Sequence, residues 1–150
     1  MRLTRIAVFP ALLAVMAATP ALAALGGGVD SVQSDLVRMK GAVRVTPSTG
    51  YTVHEITTSY GTTLREFTGA DGKVFALTWT GPVYPDLRQV LGSYYAQFAQ
   101  ALSTTRSTHR HVDIEQPGLV VQNSGRVRAF AGRAWVPTML PENFSVDDIR

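Results

Sequence analysis

The chain of 150 residues contains no cysteine. A domain without cysteine has no disulfide to brace it, so its stability has to come from its own hydrophobic core. Zinc sites built on thiolates, thiol nucleophiles and disulfide exchange all need cysteine sulfur, so the absence excludes these three chemistries. It also excludes lipid attachment at a cysteine after the amino-terminal apolar run.

Recognisable catalytic motifs are also missing, and the chain has only three histidines. No G-x-S-x-G sequence is present, and the glycines at 26–28 follow no predicted strand, so neither a serine hydrolase nor a phosphate-binding loop is indicated. Glu55 and Glu66 lie on neighbouring predicted strands and are a conceivable acid/base pair. Cross-strand carboxylates beside a cation such as Arg65 more often form exposed ion pairs. The sequence predicts no cofactor.

The longest apolar run, at residues 6–18, is too short to span a bilayer. It has about 13 residues where a transmembrane helix needs about 20, and Pro10 interrupts it. Arg2 and Arg5 precede it, which is the layout of a secretory signal peptide. Because no Arg-Arg pair is present, the general export route is favoured over the twin-arginine route.

The cleavage site follows from small residues after Pro20. Ala21 and Ala23 occupy the two positions that a signal peptidase reads, so the predicted cut lies between Ala23 and Ala24. The mature chain is then expected in the periplasm or secreted, and not membrane-spanning once the signal is cleaved. Removal of 23 residues from 150 leaves 127, enough for one core and too few for two domains.

The basic character of the precursor belongs largely to its signal. Two of its 14 basic residues are removed with the signal, which leaves 12 against 11 acidic residues and a net charge of about +1. No nucleic-acid partner is therefore predicted. Arg126, Arg128 and Arg133 cluster in sequence. They are either a solvated strand face or a surface for an anion or a partner.

The mature chain divides into two predicted parts. Residues 24–50 form a flexible or weakly helical segment, because residues 24–28 are small and glycine-rich, residues 29–39 show short helical spacing, and residues 46–50 are typical of a turn or linker. The domains are therefore a signal peptide at 1–23, this segment at 24–50, and a single α+β domain at 51–150.

The domain begins with a predicted meander. Residues 51–59, 62–67 and 73–79 are strands, rich in β-branched and aromatic residues and separated by turn residues that include Asp71-Gly72. Further strands are predicted at 108–114, 119–122 and 126–130, the last two joined across residues 123–125. Pro137 and Pro141 then make a C-terminal strap that ends in a helical turn at 145–149.

One long helix is predicted from residue 85 or 86 to residue 102. Its apolar residues recur at helical spacing and form a single stripe. The stripe consists of Leu87, Leu91, Tyr94, Phe98 and Leu102. The predicted fold class is therefore α+β, an antiparallel sheet of about five to seven strands with one long helix packed on a face.

The most suggestive cluster for chemistry is His109-x-His111-x-Asp113. On a strand these three side chains point to one face, and two such imidazoles can share a metal ion. The H-x-H-x-D letters resemble the opening of the metallo-β-lactamase motif, but Ile114 stands where that motif continues with histidine. His54, the remaining histidine, would have to complete such a site. A polar strand face exposed to solvent is the simpler interpretation.

Several short sequences are distinctive in combination: Ala24-Leu25-Gly26-Gly27, Tyr51-Thr52-Val53-His54-Glu55, Pro85-Asp86-Leu87-Arg88-Gln89, Leu119-Val120-Val121-Gln122 and Arg128-Ala129-Phe130-Ala131-Gly132-Arg133-Ala134. Together they resemble a short exported proteobacterial family known only as a domain of unknown function. The resemblance covers nearly the whole mature chain and implies export and domain extent, but no substrate, cofactor or catalytic residue.

Two functions from different classes remain open. The first is a non-catalytic binding or accessory module of the envelope, whose partner is another envelope protein or a small ligand, and which is not an enzyme. The second is a small metal-dependent hydrolase that uses the strip of His109, His111 and Asp113. The two hypotheses differ in whether His54 lies on the same side of the sheet as the strip.

Overall fold

Strands dominate the chain, because most apolar residues after position 41 alternate with polar ones. The computed structural model describes residues 25–28, 41–105 and 111–150. The predicted signal peptide, its cleavage residues Ala21, Ala23 and Ala24, and the helical spacing at 29–39 lie outside the described residues. Seven strands occur within the described ranges: β1 Ala42–Ser48, β2 Tyr51–Thr57, β3 Thr63–Gly69, β4 Val74–Gly81, β5 His111–Gln116, β6 Leu119–Arg126 and β7 Ala129–Trp135.

These strands form one antiparallel sheet in the order β1-β2-β3-β4-β7-β6-β5. Short turns connect the first four strands as a meander, and Gly72 at φ 74° provides the tight turn between β3 and β4. The second hairpin, β6–β7, adds to the free edge of β4, and β5 forms the far edge. With a helical segment packed on one face, the predicted α+β fold class is confirmed.

The helical segment is interrupted once. Helix α1 (Leu87–Leu91) begins after Asp86, whose carboxylate accepts the N–H of Arg88 at 2.9 Å, as an N-cap. A 3-10 turn, Gly92–Tyr94, separates it from α2 (Tyr95–Thr104). The predicted long helical segment is confirmed, and its local break lies at Gly92, which has φ 50° and ψ −121°, a conformation that is open mainly to glycine.

The apolar stripe of this segment packs on one side of the sheet, called here the helix face. Leu91 and Phe98 are buried there against Trp79, which is itself inaccessible to solvent. Burial of such large side chains stabilises the fold by about 1.5–3 kcal/mol each relative to exposure. The sheet contributes the following residues to this core: Ile56, Leu64, Val74, Leu77, Trp79, Ile114, Leu119, Val121 and Ala134.

The opposite side of the sheet, the strap face, is half covered by the C-terminal strap, residues 137–150. Phe144 of the strap makes edge-to-face contacts with Phe75, at a centroid distance of 4.9 Å, and with Tyr51, at 5.0 Å. Ile149, 1% exposed, belongs to the same cluster. The predicted helical turn near the chain end is present as the 3-10 turn Val146–Asp148. The other half of the strap face stays open.

The start of the predicted mature chain is part of the fold. Leu25 is 1% exposed and belongs to the helix-face core, and its N–H donates to the carbonyl of Val90 at 3.0 Å. Gly26 and Gly27 exchange two further backbone hydrogen bonds with Val74. The expectation of a flexible entry at residues 24–28 therefore fails for 25–28, because apolar Leu25 fills a core position.

Two further boundaries differ from the sequence prediction. The sheet begins at Ala42 rather than at Tyr51, since Pro47 lies in the edge strand β1, where a missing N–H is tolerated. The turn of the second hairpin lies at residues 127–128, not 123–125. Gly125 pairs with Phe130 inside the ladder, where a Cβ atom would lie only 2.7 Å from the carbonyl oxygen of Ala129. This glycine permits a close approach of two backbones rather than a turn.

Candidate functional site

The open half of the strap face carries a row of polar residues that crosses all seven strands. The members face each other in consecutive ladder positions, so their side chains lie side by side on one face. This polar row consists, from edge to edge, of Arg44, Glu55, Arg65, Thr78, Arg133, Gln122 and Asp113. Thr78 stands between two arginines, each one strand away, or about 5 Å at the backbone.

Arg65 is held in place by two acceptors. Its Nε donates to Glu55 Oε2 at 2.7 Å, the cross-strand ion pair of this half of the sheet. One Nη1 hydrogen goes to the main-chain oxygen of Arg150, at 2.8 Å. The side chain is 43% exposed, so the ion pair itself contributes little stability, on the order of 0–1 kcal/mol. Its effect is to fix the guanidinium beside Thr78.

Arg133 is fixed in a different way, by uncharged acceptors. Its Nε donates to Gln122 Oε1 at 2.8 Å, and Nη1 donates to the carbonyl oxygen of Val146 at 3.2 Å. The guanidinium carbon lies 5.3 Å from the ring centroid of Trp135, a cation–π contact. Because these partners carry no formal negative charge, they position the cation of Arg133 without neutralising it. Arg133 is half-buried on the open face.

A second row of mostly small polar side chains runs alongside the polar row, two residues from it on each of β3, β4, β7 and β6. It contains Thr63 and Thr80, which face each other on β3 and β4, and Ser124, which faces Ala131 on β6 and β7. Such short hydroxyl side chains leave room above the sheet. They also supply donors and acceptors at the floor of that space.

Two adjoining cavities occupy the open half and share Thr78 and Thr80 as lining residues. One, of about 410 Å³, extends over β7 and β6 and reaches the strap at Ile149 and Arg150. The other, of about 490 Å³, extends over β3 and β2. Together they form the sheet groove, defined by Glu55, Thr63, Arg65, Thr78, Thr80, Gln122, Ser124 and Arg133.

The predicted metal strip is only partly described. His111 and Asp113 are exposed on one face of β5, as their spacing predicted, and His111 lines the groove. Asp113 accepts the Nε2 hydrogen of Gln122 at 3.4 Å. His109 lies outside the described residues. His54 is buried on the helix face of β2, five strands from β5, so it cannot complete a metal site with His111 and Asp113.

The two carboxylates considered as an acid/base pair do not meet. Glu55 lies on the strap face with Arg65, whereas Glu66 is fully buried on the helix face directly opposite His54. Nε2 of His54 lies 3.2 Å from Thr68 Oγ1. Burial lowers the pKa of His54 by desolvating the imidazolium, so the neutral ring is favoured in the fold. Glu55 and Glu66 therefore cannot share one reacting atom.

The three clustered arginines are not gathered on one surface. Arg126 faces Ala129 at the end of the β6–β7 hairpin, and Arg128 lies in the turn; both are exposed. Arg133 lies four residues beyond Ala129 along β7, which is about 14 Å. Only Arg133 lines the groove. Arg126 and Arg128 instead flank the hairpin tip.

Within the described ranges, histidine, aspartate and glutamate side chains do not assemble in groups of three that could hold a metal ion. In the same part of the chain, no helix has the length and apolar character required to cross a membrane.

Sequence reasoning missed Thr78, Thr80, Gln122 and Ser124 as groove residues. A signal for the first two was present, since they alternate with Leu77 and Trp79 along the predicted strand, which the structure places at the centre of the sheet. Polar residues on the outer face of a central strand indicate that this face is not covered. The pairing of β4 with β7, which brings Arg133 beside Thr78, carries no local signal.

Comparisons with known proteins give one family. Searches of the curated proteins and of the solved structures give no match. A family model described as a protein of unknown function, DUF2844, matches residues 21–149. The matched range starts at the predicted signal cleavage region and includes every strand and helix described above. The predicted kinship with a family of unknown function is thereby confirmed, and the chain belongs to the DUF2844 family.

Proposed function

We propose that this protein is an exported, non-catalytic binding module of the bacterial envelope, and that the sheet groove is its binding site. One observation carries the proposal: the row of Arg65, Thr78 and Arg133, held in fixed geometry on an otherwise open sheet face. Binding sites are concave and pre-formed, with a few polar groups fixed in place, and the two cavities have volumes typical of such sites.

The groove favours a small ligand that carries both a carboxylate and hydroxyl groups. A guanidinium has five N–H groups, and the hydrogen bonds described above use one Nε and one Nη1 hydrogen of each arginine. N–H groups of Arg133 remain to bind an anionic oxygen, and the acceptors of its two described hydrogen bonds are uncharged. Thr80, Thr63 and Ser124 can exchange hydrogen bonds with ligand hydroxyls. A uronic acid combines these groups in one small molecule.

The binding site is pre-organised rather than formed by the ligand. Arg133 is held by Gln122, Val146 and the ring of Trp135, so little side-chain entropy is lost when a ligand binds. The strap contributes one wall through Ile149 and Arg150. An open sheet face with a cation held in place is suited to binding an anionic ligand. The proposed role requires no covalent chemistry.

Isothermal titration calorimetry with D-glucuronate tests the proposed site, with D-glucose as the matched ligand that lacks the carboxylate. Arg133→Gln is expected to weaken glucuronate binding by about tenfold or more, the value of one charge-assisted hydrogen bond. Thr80→Val removes one hydroxyl from the groove and is expected to weaken binding by about fivefold. The control variant Thr46→Val changes an exposed strand residue outside both cavities and should bind as the wild type does.

Three outcomes would contradict the proposed site. These are no heat of binding with glucuronate, equal binding of glucose, and unchanged affinity in both groove variants. Thermal unfolding of each variant, recorded alongside, separates a lost ligand contact from a lost fold. Thr80→Val should disturb the fold less than Arg133→Gln does, because Thr80 is exposed whereas Arg133 also donates a hydrogen bond to the strap.

Export is the second part of the proposal. It rests on Arg2 and Arg5, the apolar run at 6–18 and the alanines at 21 and 23, which together favour a cleavable signal and a periplasmic or secreted location. Expression of the full chain in a bacterial host, followed by intact-mass measurement of the periplasmic product, should give a chain that begins at Ala24. A product that retains Met1, or that remains in the cytoplasm, would refute the export proposal.

A further inference from the structure

Exposed apolar side chains collect at one end of the sheet. The β2–β3 turn, the end of β4 and the β6–β7 turn all lie at this end, because Thr57 pairs with Thr63, Gly81 with Phe130 and Arg126 with Ala129. Large apolar residues at this end are strongly exposed: Tyr60 by 67%, Val83 by 46% and Val127 by 86%. We call this set, with Arg126 and Arg128, the tip patch.

The turns that carry the tip patch are connected at their base by a shared cavity and an aromatic contact. Tyr60 and Val83 line the same cavity, of about 200 Å³. Tyr84, next to Val83, packs edge-to-face on Phe130 at the base of the β6–β7 hairpin, with a centroid distance of 5.5 Å. Burial raises the pKa of Tyr84 to about 12, which agrees with its place in the packed base. The β2–β3 and β6–β7 hairpins are about three strand spacings apart, or about 14 Å.

The charge of the tip patch is positive. Val127 is flanked by Arg126 and Arg128, both exposed. Asp86, which lines the cavity beside Tyr60 and Val83, is the acidic residue of this region, and its carboxylate accepts the N–H of Arg88 at the start of α1. An apolar residue at a hairpin tip between two cations can enter the headgroup layer of a membrane while its neighbours contact lipid phosphates.

The backbone at the tip gives a second argument. Arg128 has φ 66°, in the left-handed region that glycine occupies without strain and a side-chain-bearing residue does not. A turn whose only requirement was to reverse the chain would place glycine here. A strained arginine at an exposed tip therefore points to a use for its side chain.

From these observations we propose that the tip patch docks this protein on an anionic phospholipid surface, with Val127 and Tyr60 in the interface and Arg126 and Arg128 on the headgroups. The occupant is a membrane surface rather than a protein, because the exposed apolar groups stand at separate protruding turns and not in a continuous flat face. Tyrosine is typical of the water–lipid interface. The docking residues Tyr60, Val127, Arg126 and Arg128 do not line the sheet groove.

Sedimentation with vesicles tests this docking on the processed chain. Vesicles of phosphatidylglycerol and phosphatidylethanolamine in equal amounts are compared with vesicles of phosphatidylcholine, at low and at high salt. The wild type should bind the anionic vesicles at low salt and be released by salt, since surface charge attraction is screened. Val127→Ser and the double variant Arg126→Gln, Arg128→Gln should each lower the partition coefficient by about tenfold.

Matched controls come from the edge strand β1. Val45→Ser removes a valine that is 54% exposed but lies in the middle of β1, and Arg44→Gln removes an exposed arginine outside the tip patch. Both should bind vesicles as the wild type does. Equal binding to neutral and anionic vesicles, or an equal loss in tip and control variants, overturns the proposal. Because the tip variants lie outside the groove, they should bind glucuronate as the wild type does. A failure of membrane docking can therefore be distinguished from a failure of ligand binding in the groove.

Discussion

The N–H of Leu25 donates to the carbonyl oxygen of Val90 at 3.0 Å, and the Leu25 side chain is 1% exposed in the helix-face core. If the signal is cut between Ala23 and Ala24, this leucine becomes the second residue of the mature chain. The amino-terminal end of the mature chain would then pack in the core, next to Val90 near the end of α1. The predicted cleavage site would then lie one residue before the first core residue described.

The Leu25 contact gives the first prediction. Leu25→Ala should lower the free energy of unfolding by about 2–5 kcal/mol, because it leaves a cavity in a packed core. Urea unfolding followed by tryptophan fluorescence measures it. Val45→Ala, at a position 54% exposed, is the matched control and should cost less than about 1 kcal/mol. Equal small losses in both variants would place Leu25 outside the core.

A second prediction concerns Gly132, over which the Trp79 ring lies. A Cβ atom at position 132 would lie only 2.2 Å from Cζ2 of Trp79, and the indole is fully buried. Gly132→Ala should therefore lower stability by about 1–3 kcal/mol through overpacking. Gly118→Ala is the control, since its Cβ meets its nearest atoms, in Gln97, at 3.9 Å. Equal thermal midpoints for the two variants would contradict the described packing of Trp79.

The third prediction is a pH dependence that originates at His54. Burial lowers its pKa in the fold below the ordinary value of 6.5, so the unfolded chain binds a proton more readily than the folded chain. The stability contribution of neutral His54 is complete above the ordinary pKa of 6.5. It is lost as the pH falls from there through the lowered pKa of the folded state. Wild type should lose more stability than His54→Gln between about pH 7.5 and about pH 5.5.

Urea unfolding at the two pH values measures this difference. Glu66, which lies opposite His54 on β3, is present in both proteins, so the comparison isolates the histidine. Parallel losses of stability in the two proteins would show that His54 does not sense pH through burial.

The fourth prediction uses the strained turn of the β6–β7 hairpin. Arg128→Gly should raise the free energy of unfolding by up to about 1 kcal/mol, because glycine adopts φ 66° without the clash of a Cβ atom. Arg128→Ala keeps the Cβ atom and should leave stability nearly unchanged. If glycine gives no gain over alanine in chemical unfolding, the backbone at position 128 is not strained.

Sequence reasoning succeeded where local chemistry decides the structure. Alternation in residues 51–79 and the Asp71-Gly72 turn indicated β2, β3 and β4, and the stripe that includes Leu91 and Phe98 indicated the packed helical segment. It failed where tertiary context overrides a local signal. Pro47 is a linker residue by pattern, yet it is tolerated in β1 because this strand forms the sheet edge.

The candidate site was less predictable than the fold. Arg133 was identified as a possible anion contact, but its neighbours were taken to be Arg126 and Arg128, which are nearby in sequence. Its neighbours on the sheet are Thr78 and Gln122, and they follow from the pairing of β7 with β4 and β6. The pairing of β7 with β4 joins Arg133 to Thr78, 55 positions apart (133 − 78), so no local pattern encodes it.

The central claim, that the sheet groove binds a hydroxylated carboxylate, is tested most directly by residue-resolved NMR. Amide shifts of the processed, nitrogen-15-labelled chain are followed during titration with D-glucuronate. Binding in the groove predicts saturable shifts confined to the strands around Thr78, Thr80, Gln122 and Arg133, and half-saturation at an about fivefold higher glucuronate concentration in Thr80→Val. Shifts that do not saturate, or that map to the helix face or the tip patch instead, would contradict the claim.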